Sequence, residues 1–194
     1  MIVIKTREEI EILREGGKRL ATVLHKVKEK VAPGVSTKEL DLYAEKLIRE
    51  TGDVPAFLNY RPAGARTPFP ASLCISVNDE VVHGIPDKKR ILQEGDIVSL
   101  DLGLKHNGLF TDMAITVPVG KINPADKKLL DITQKALQVA IDAAQAGYTV
   151  GDIGYAVESF VKSQGKYGIV EVLSGQGVGR AIHEDPYIPN FGKA

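Results

Sequence analysis

The chain alternates between two apolar periods, and the change of period divides it. Ile10, Leu13, Leu20, Leu24, Val27 and Val31 recur three, four or seven residues apart, a single helical stripe. Thr6, with Glu9 three residues on, predicts a capping box at its start, and Pro33-Gly34 predicts its end. Ser36 with Glu39 predicts a second capped helix, whose stripe of Leu40, Ala44, Leu47 and Ile48 runs to a stop at Gly52. Residues Tyr60 to Pro70 are rich in Pro and Gly and read as a loop. From about Ser72 to Val119 the period falls to two, which predicts strands, and a third helix is expected over Pro124 to Ala146.

The first pattern then returns. A shift of 113 residues carries Gly34 onto Gly147, Ser36 onto Thr149, Leu40 onto Ile153, Glu45 onto Glu158 and Gly52 onto Gly165. Helix, glycine turn, hydroxyl cap, amphipathic helix and glycine stop therefore occur twice in the same order. The same shift would repeat the strand pair of residues 97 to 117 beyond residue 194, so the second half is expected to be incomplete and to leave a sheet edge unpaired.

Composition narrows the class. A chain of 194 residues with 43% hydrophobic and 26% charged residues suits one soluble globular domain, expected here over 1–194. Lys plus Arg equals Asp plus Glu at 25 each, which argues against a broadly basic nucleic-acid surface. No apolar run reaches the ~18 residues of a membrane span, and nothing at the start reads as a signal peptide. The lone Cys74 excludes an internal disulfide and suits a reducing compartment. A cytoplasmic monomer without a specific nucleic-acid partner is expected.

The chemistry concentrates in Asp96 to Val117. Asn107-Gly108 between two alternating runs is a strong hairpin signal, because a tight turn there needs positive φ. Val98, Leu100, Leu102 and Leu104 on one strand, with Met113, Ile115 and Val117 on the other, form a core face. The opposite face carries Asp101 and Asp112. With His106-Asn107 as the loop these two sit directly opposite; with Asn107-Gly108 they are diagonal neighbours. Either register keeps their Cβ atoms about 5–8 Å apart. Facing carboxylates destabilise a sheet unless a proton or cation separates them. Ser99, Gly103 and Ala114 leave room beside them; Phe110 is the bulky exception.

Two histidine segments extend this picture. The runs Ser72–Asn78, Val81–Asp87, Ser99–Gly103, Thr111–Ala114 and Gly175–Arg180, the last leading into Ile182–Pro186, resemble the type I methionine aminopeptidases in order and spacing. That resemblance covers essentially the whole chain. It implies an α+β pita-bread fold: a pseudo-two-fold α/β repeat around an antiparallel sheet. It further implies Asp101, Asp112 and His183 as metal ligands, and His83 as a catalytic residue that contacts the substrate. Tyr60, Phe69 and Cys74 match the pocket for the methionine side chain. The complete family site holds two divalent ions, and carboxylates with one imidazole suit Co, Mn, Fe or Zn alike. The implied reaction is hydrolytic removal of the N-terminal methionine from nascent proteins, with the ribosome as an implied partner.

Alone, His83 in a Gly-Pro loop and His183 before Glu-Asp-Pro would be read as surface or turn residues. Gly175, Gly177 and Gly179 resemble a nucleotide loop, but no helix pattern follows them as that fingerprint requires. The family's two later glutamates have no counterpart here, Gln176 and Asn190 stand where histidines are common, and the Tyr60–Phe69 loop is longer than usual. The 194 residues are therefore expected to be an incomplete fragment with reduced or no activity. A proline-directed aminopeptidase or prolidase relative, or a non-catalytic binding protein of the same fold, are the alternatives.

Overall fold

The computed structural model describes residues 1–62 and 64–193; Ala63, inside the predicted loop, and Ala194 lie outside the described residues. Helix α1 spans Arg7–Lys28, and both halves of the Thr6–Glu9 capping box are present. It buries Leu20, Val23, Leu24 and Val27, while Ile10, at the start of the predicted stripe, is exposed: the first turns of α1 project beyond the core. Helix α2 spans Thr37–Glu50 behind the Ser36–Glu39 capping box.

A four-stranded antiparallel sheet packs against these helices. Strand β1 is Val54–Pro55, β2 is Leu73–Val77, β3 is Ile97–His106 and β4 is Leu109–Pro118. Strand β3 is the centre: β4 pairs along one side of it, and β1 and β2 share the other. Val98, Leu100, Leu102 and Leu104 are fully buried and join Leu73, Ile75 and Val77 with the apolar stripes of α1 and α2 in one core. The predicted core face of the hairpin is the one the helices cover. A buried carboxylate ties helix to strand. Asp41 of α2 accepts the N–H groups of Ser72 at 2.8 Å and Leu73 at 3.0 Å, and Lys38 neutralises it at 2.6 Å. Unpaired, such a charge would be costly to bury.

Helix α3 is Pro124–Ala143 and α4 is Val150–Ser163. Helix α3 ends three residues before the expected Ala146, because Ala144 and Gln145 donate to carbonyls in tighter turns than the helical pattern. Shifted by 113 residues, the bounds of α2 coincide with those of α4. Thr149 caps α4 with Asp152, as Ser36 caps α2 with Glu39. Gly34 and Gly147 take φ of 90° and 92°. The repeat legible in the sequence is thus a repeat of local structure. Ala136, Val157 and Val161 bury the seam between α3 and α4. Two further strands, β5 (Ser174–Gly177) and β6 (Glu184–Pro189), pair antiparallel, with β6 against α4.

The chain forms two compact units. One comprises Lys5–Asn123 with Val178–Ile182 and contains α1, α2 and β1–β4. The other comprises Met1–Ile4, Pro124–Gly177 and His183–Ala194, with α3, α4, β5 and β6. Among the described residues, no helix is long and apolar enough to cross a membrane.

Candidate active site

The turn between β3 and β4 decides where the two aspartates stand. Asn107 and Gly108 take φ of 45° and 89°, the left-handed pair that a primed two-residue turn needs. His106 therefore pairs with Leu109, Asp101 lies opposite Ala114, and Asp112 lies opposite Gly103. Of the two registers open to the sequence, the structure adopts the diagonal one. The carboxyl groups of Asp101 and Asp112 nevertheless interact, from the same face of neighbouring strands.

Their surroundings are not those of a wetted sheet face. Burial raises the pKa of Asp101, and the hydrogen bond with Asp112 opposes that rise. Strand β2 places Cys74 directly opposite Asp101. Burial pushes the Cys74 thiol well above its usual range, and the charges of Asp101 and Asp112 push it further. A thiol with that character serves as an apolar wall and not as a nucleophile.

Cys74 also belongs to a small apolar cluster. Ala56, Phe57 and Ile182 are buried with it, and Tyr60, Phe69, Phe110 and Val178 pack around them. The three residues assigned to a methionine pocket by resemblance, Tyr60, Phe69 and Cys74, are brought together. The Tyr60–Phe69 loop is closed at its neck: Phe69 donates its N–H to Tyr60 O at 2.8 Å, and Asn59 donates to Phe69 O at 2.9 Å. Length in the loop therefore does not displace its ends.

Phe57 was not legible in the sequence, because it follows a two-residue strand and belongs to no periodic run. Its only trace is Gly103. A Cβ at Gly103 would come within 2.8 Å of Phe57 Cε1 and 3.0 Å of Ala56 Cβ, so the glycine lets the Ala56–Phe57 corner settle on the sheet beside the aspartates. Ile182 and Val178 were missed for a related reason, since only tertiary structure brings residues 178–182 to this cluster.

His83 stands exposed in a left-handed turn at φ 60°. The next residue fixes it to β2: Gly84 O accepts Ile75 N–H at 2.9 Å, and Gly84 N–H donates to Ser76 Oγ at 3.1 Å. His83 is thus tethered to the strand that carries Cys74. His183 is exposed and immediately precedes β6, in the unit that does not contain the aspartate pair. Among the described residues, no three His, Cys, Asp or Glu side chains are gathered as a metal cage. The donor chemistry of the carboxylate pair fits a divalent cation all the same: two hard oxygen donors on one face of neighbouring strands, Asp101 partly withdrawn from water, with small residues beside them.

A model of the metallopeptidase family M24 matches residues 11–194. The chain belongs to metallopeptidase family M24. A methionine aminopeptidase of Aquifex aeolicus is 45% identical to the M24 chain over 191 residues, 97% of this chain and 73% of that protein. A crystal structure of a methionine aminopeptidase from Rickettsia prowazekii aligns with a TM-score of 0.93 at 34% identity, covering 100% of this chain and 75% of that one. A prolidase from Pyrococcus furiosus aligns with a TM-score of 0.81 at 28% identity, and the M24 chain spans 53% of its length. The fold is accordingly the α+β pita-bread fold of these neighbours, and the M24 chain is a metal-dependent peptidase of the methionine aminopeptidase type.

The buried pair predicts a pH response in metal-free protein. The folded-state pKa of Asp101 lies above its ordinary value of about 3.9. Its contribution to stability is therefore complete below that value and is lost as pH rises through the folded-state pKa. In EDTA, the thermal midpoint of wild type minus that of Asp101→Asn is expected to fall as pH rises above about 4, the ordinary range of a carboxyl group. A divalent cation is expected to reverse the fall. A difference independent of pH would contradict the burial of this pair.

Proposed function

We propose that this chain releases N-terminal methionine from peptides, with Asp101, Asp112 and His183 as donors to a divalent metal. One observation carries the reading. Cys74 faces Asp101 across the β2–β3 pairing and is also part of the apolar cluster, so apolar side chains suited to a methionine and the carboxylate pair meet at one residue. A methionine side chain in that pocket would meet Tyr60, Phe69, Phe57 and Phe110, and thioethers gain from contact with aromatic rings. Its scissile bond would then lie toward the aspartates. The pocket excludes water from the side chain, and His83, tethered to β2, supplies a hydrogen-bonding group to the substrate backbone. When bound, a divalent ion of this kind acidifies a water molecule and polarises the carbonyl.

Two carboxylates and one imidazole suit Co, Mn, Fe or Zn alike, so we expect any of these ions to restore methionine release after EDTA. The experiment is release of methionine from Met-Ala-Ser by the purified protein in EDTA and then with Mn or Co, alongside a count of bound metal. Release is expected only with metal, and Pro-Ala-Ser or Ala-Pro is expected to remain intact. Equal release in EDTA would sink the reading, as would metal-dependent cleavage confined to the proline peptides.

A further inference from the structure

The five residues Val178–Ile182 sit with Lys5–Asn123, although their neighbours in sequence on both sides belong to the other unit. They supply Val178 and the buried Ile182 to the wall around Cys74. Such a short excursion needs attachments, and the structure provides them. Gly179 O accepts the N–H of Phe110 at 2.6 Å, on the side of β4 away from β3. Arg180 grips Glu9 with both arms of its guanidinium, Nε to Oε1 at 2.7 Å and Nη2 to Oε2 at 3.1 Å. Glu9 is already held in place, because its Oε2 also accepts Thr6 N–H at 2.8 Å in the capping box of α1.

We propose that Glu9 and Arg180 are positioning residues for the substrate pocket, a clamp that seats the Val178–Ile182 wall by tying it to the start of α1. The substrate named here rests on the methionine reading above; the clamp itself does not. Paired forks of this kind are the stronger class of ion pair, and Glu9 carries the mark of it: the hydrogen bond from Arg180 lowers its pKa to about 2. Arg180 is half exposed, so the pair contributes little to global stability and its effect is confined to the segment it holds.

Glu9→Gln tests this cleanly, since glutamine still serves the capping box while the charge is lost. Cys74, the chain's one cysteine, reports on the wall without any need for turnover. In Glu9→Gln, labelling of the Cys74 thiol by a small aromatic disulfide should quicken by about three- to tenfold, with little change in thermal midpoint. KM for Met-Ala-Ser should rise by a similar factor, with kcat moving less. Arg180→Leu should match Glu9→Gln, and the double variant should be no worse than either, because the two residues act as one unit. Arg180→Lys, which keeps charge but loses the fork, should recover only part of the protection. Faster labelling in a protein that never releases methionine would uphold the clamp while the peptidase reading failed. Wild-type labelling in both single variants would overturn the clamp, and so would additive effects in the double variant.

Discussion

Asp101→Asn is expected to weaken Mn or Co binding by about a hundredfold or more, measured by titration calorimetry, with methionine release falling in parallel. The magnitude follows from position. Substituting a group that merely supports a ligand commonly costs 10- to 100-fold in affinity, and Asp101 is itself a proposed donor. The same change should not harm the metal-free fold. The charge of Asp101 is partly withdrawn from water, so asparagine removes the cost of burying it at neutral pH and keeps the side-chain shape. The EDTA-treated variant should melt no lower than wild type. Unaltered metal affinity would remove Asp101 from the site; a collapse in stability without metal would make it a structural residue.

One position earlier, the opposite result is expected. Leu100 is fully buried on the helix-facing side of β3, within the core shared with α1 and α2. Leu100→Ala deletes apolar volume from the middle strand of the sheet, where neighbours on both sides resist collapse into the gap. The expected cost is about 3–4 kcal/mol, or roughly 10 °C in thermal midpoint for a chain of this size. Below its melting point the variant should bind metal with nearly wild-type affinity, since the site faces the other way. A midpoint shift under roughly 3 °C would show that the core does not depend on this strand as described. Adjacent residues thus separate fold from site because consecutive strand positions point to opposite faces.

The two substitutions also show why so much of this chain could be read directly. The capping boxes at Thr6, Ser36 and Thr149 each lie within four residues, and so do the signals that end α2 and α4. The alternation along β3 and β4 and the Asn107-Gly108 turn are equally local, and they place both aspartates on one face. The choice between direct and diagonal pairing stayed open, because adjacent residue types at the turn permitted both. The φ values of Asn107 and Gly108 closed it. Resemblance added Tyr60, Phe69, Cys74, His83 and His183. The first three are gathered in the apolar cluster, while the two histidines stand exposed on separate units.

Periodicity and capping, being properties of a few neighbouring residues, determined from sequence alone the helices, the hairpin, its two faces and the internal repeat. Tertiary structure decided everything that depends on distant residues meeting. It set Cys74 across from Asp101, laid Phe57 over Gly103, and brought Arg180 to Glu9 across 171 positions of chain. Such meetings leave no period to read, because they are selected by how whole elements pack and by which loop closures that packing can support.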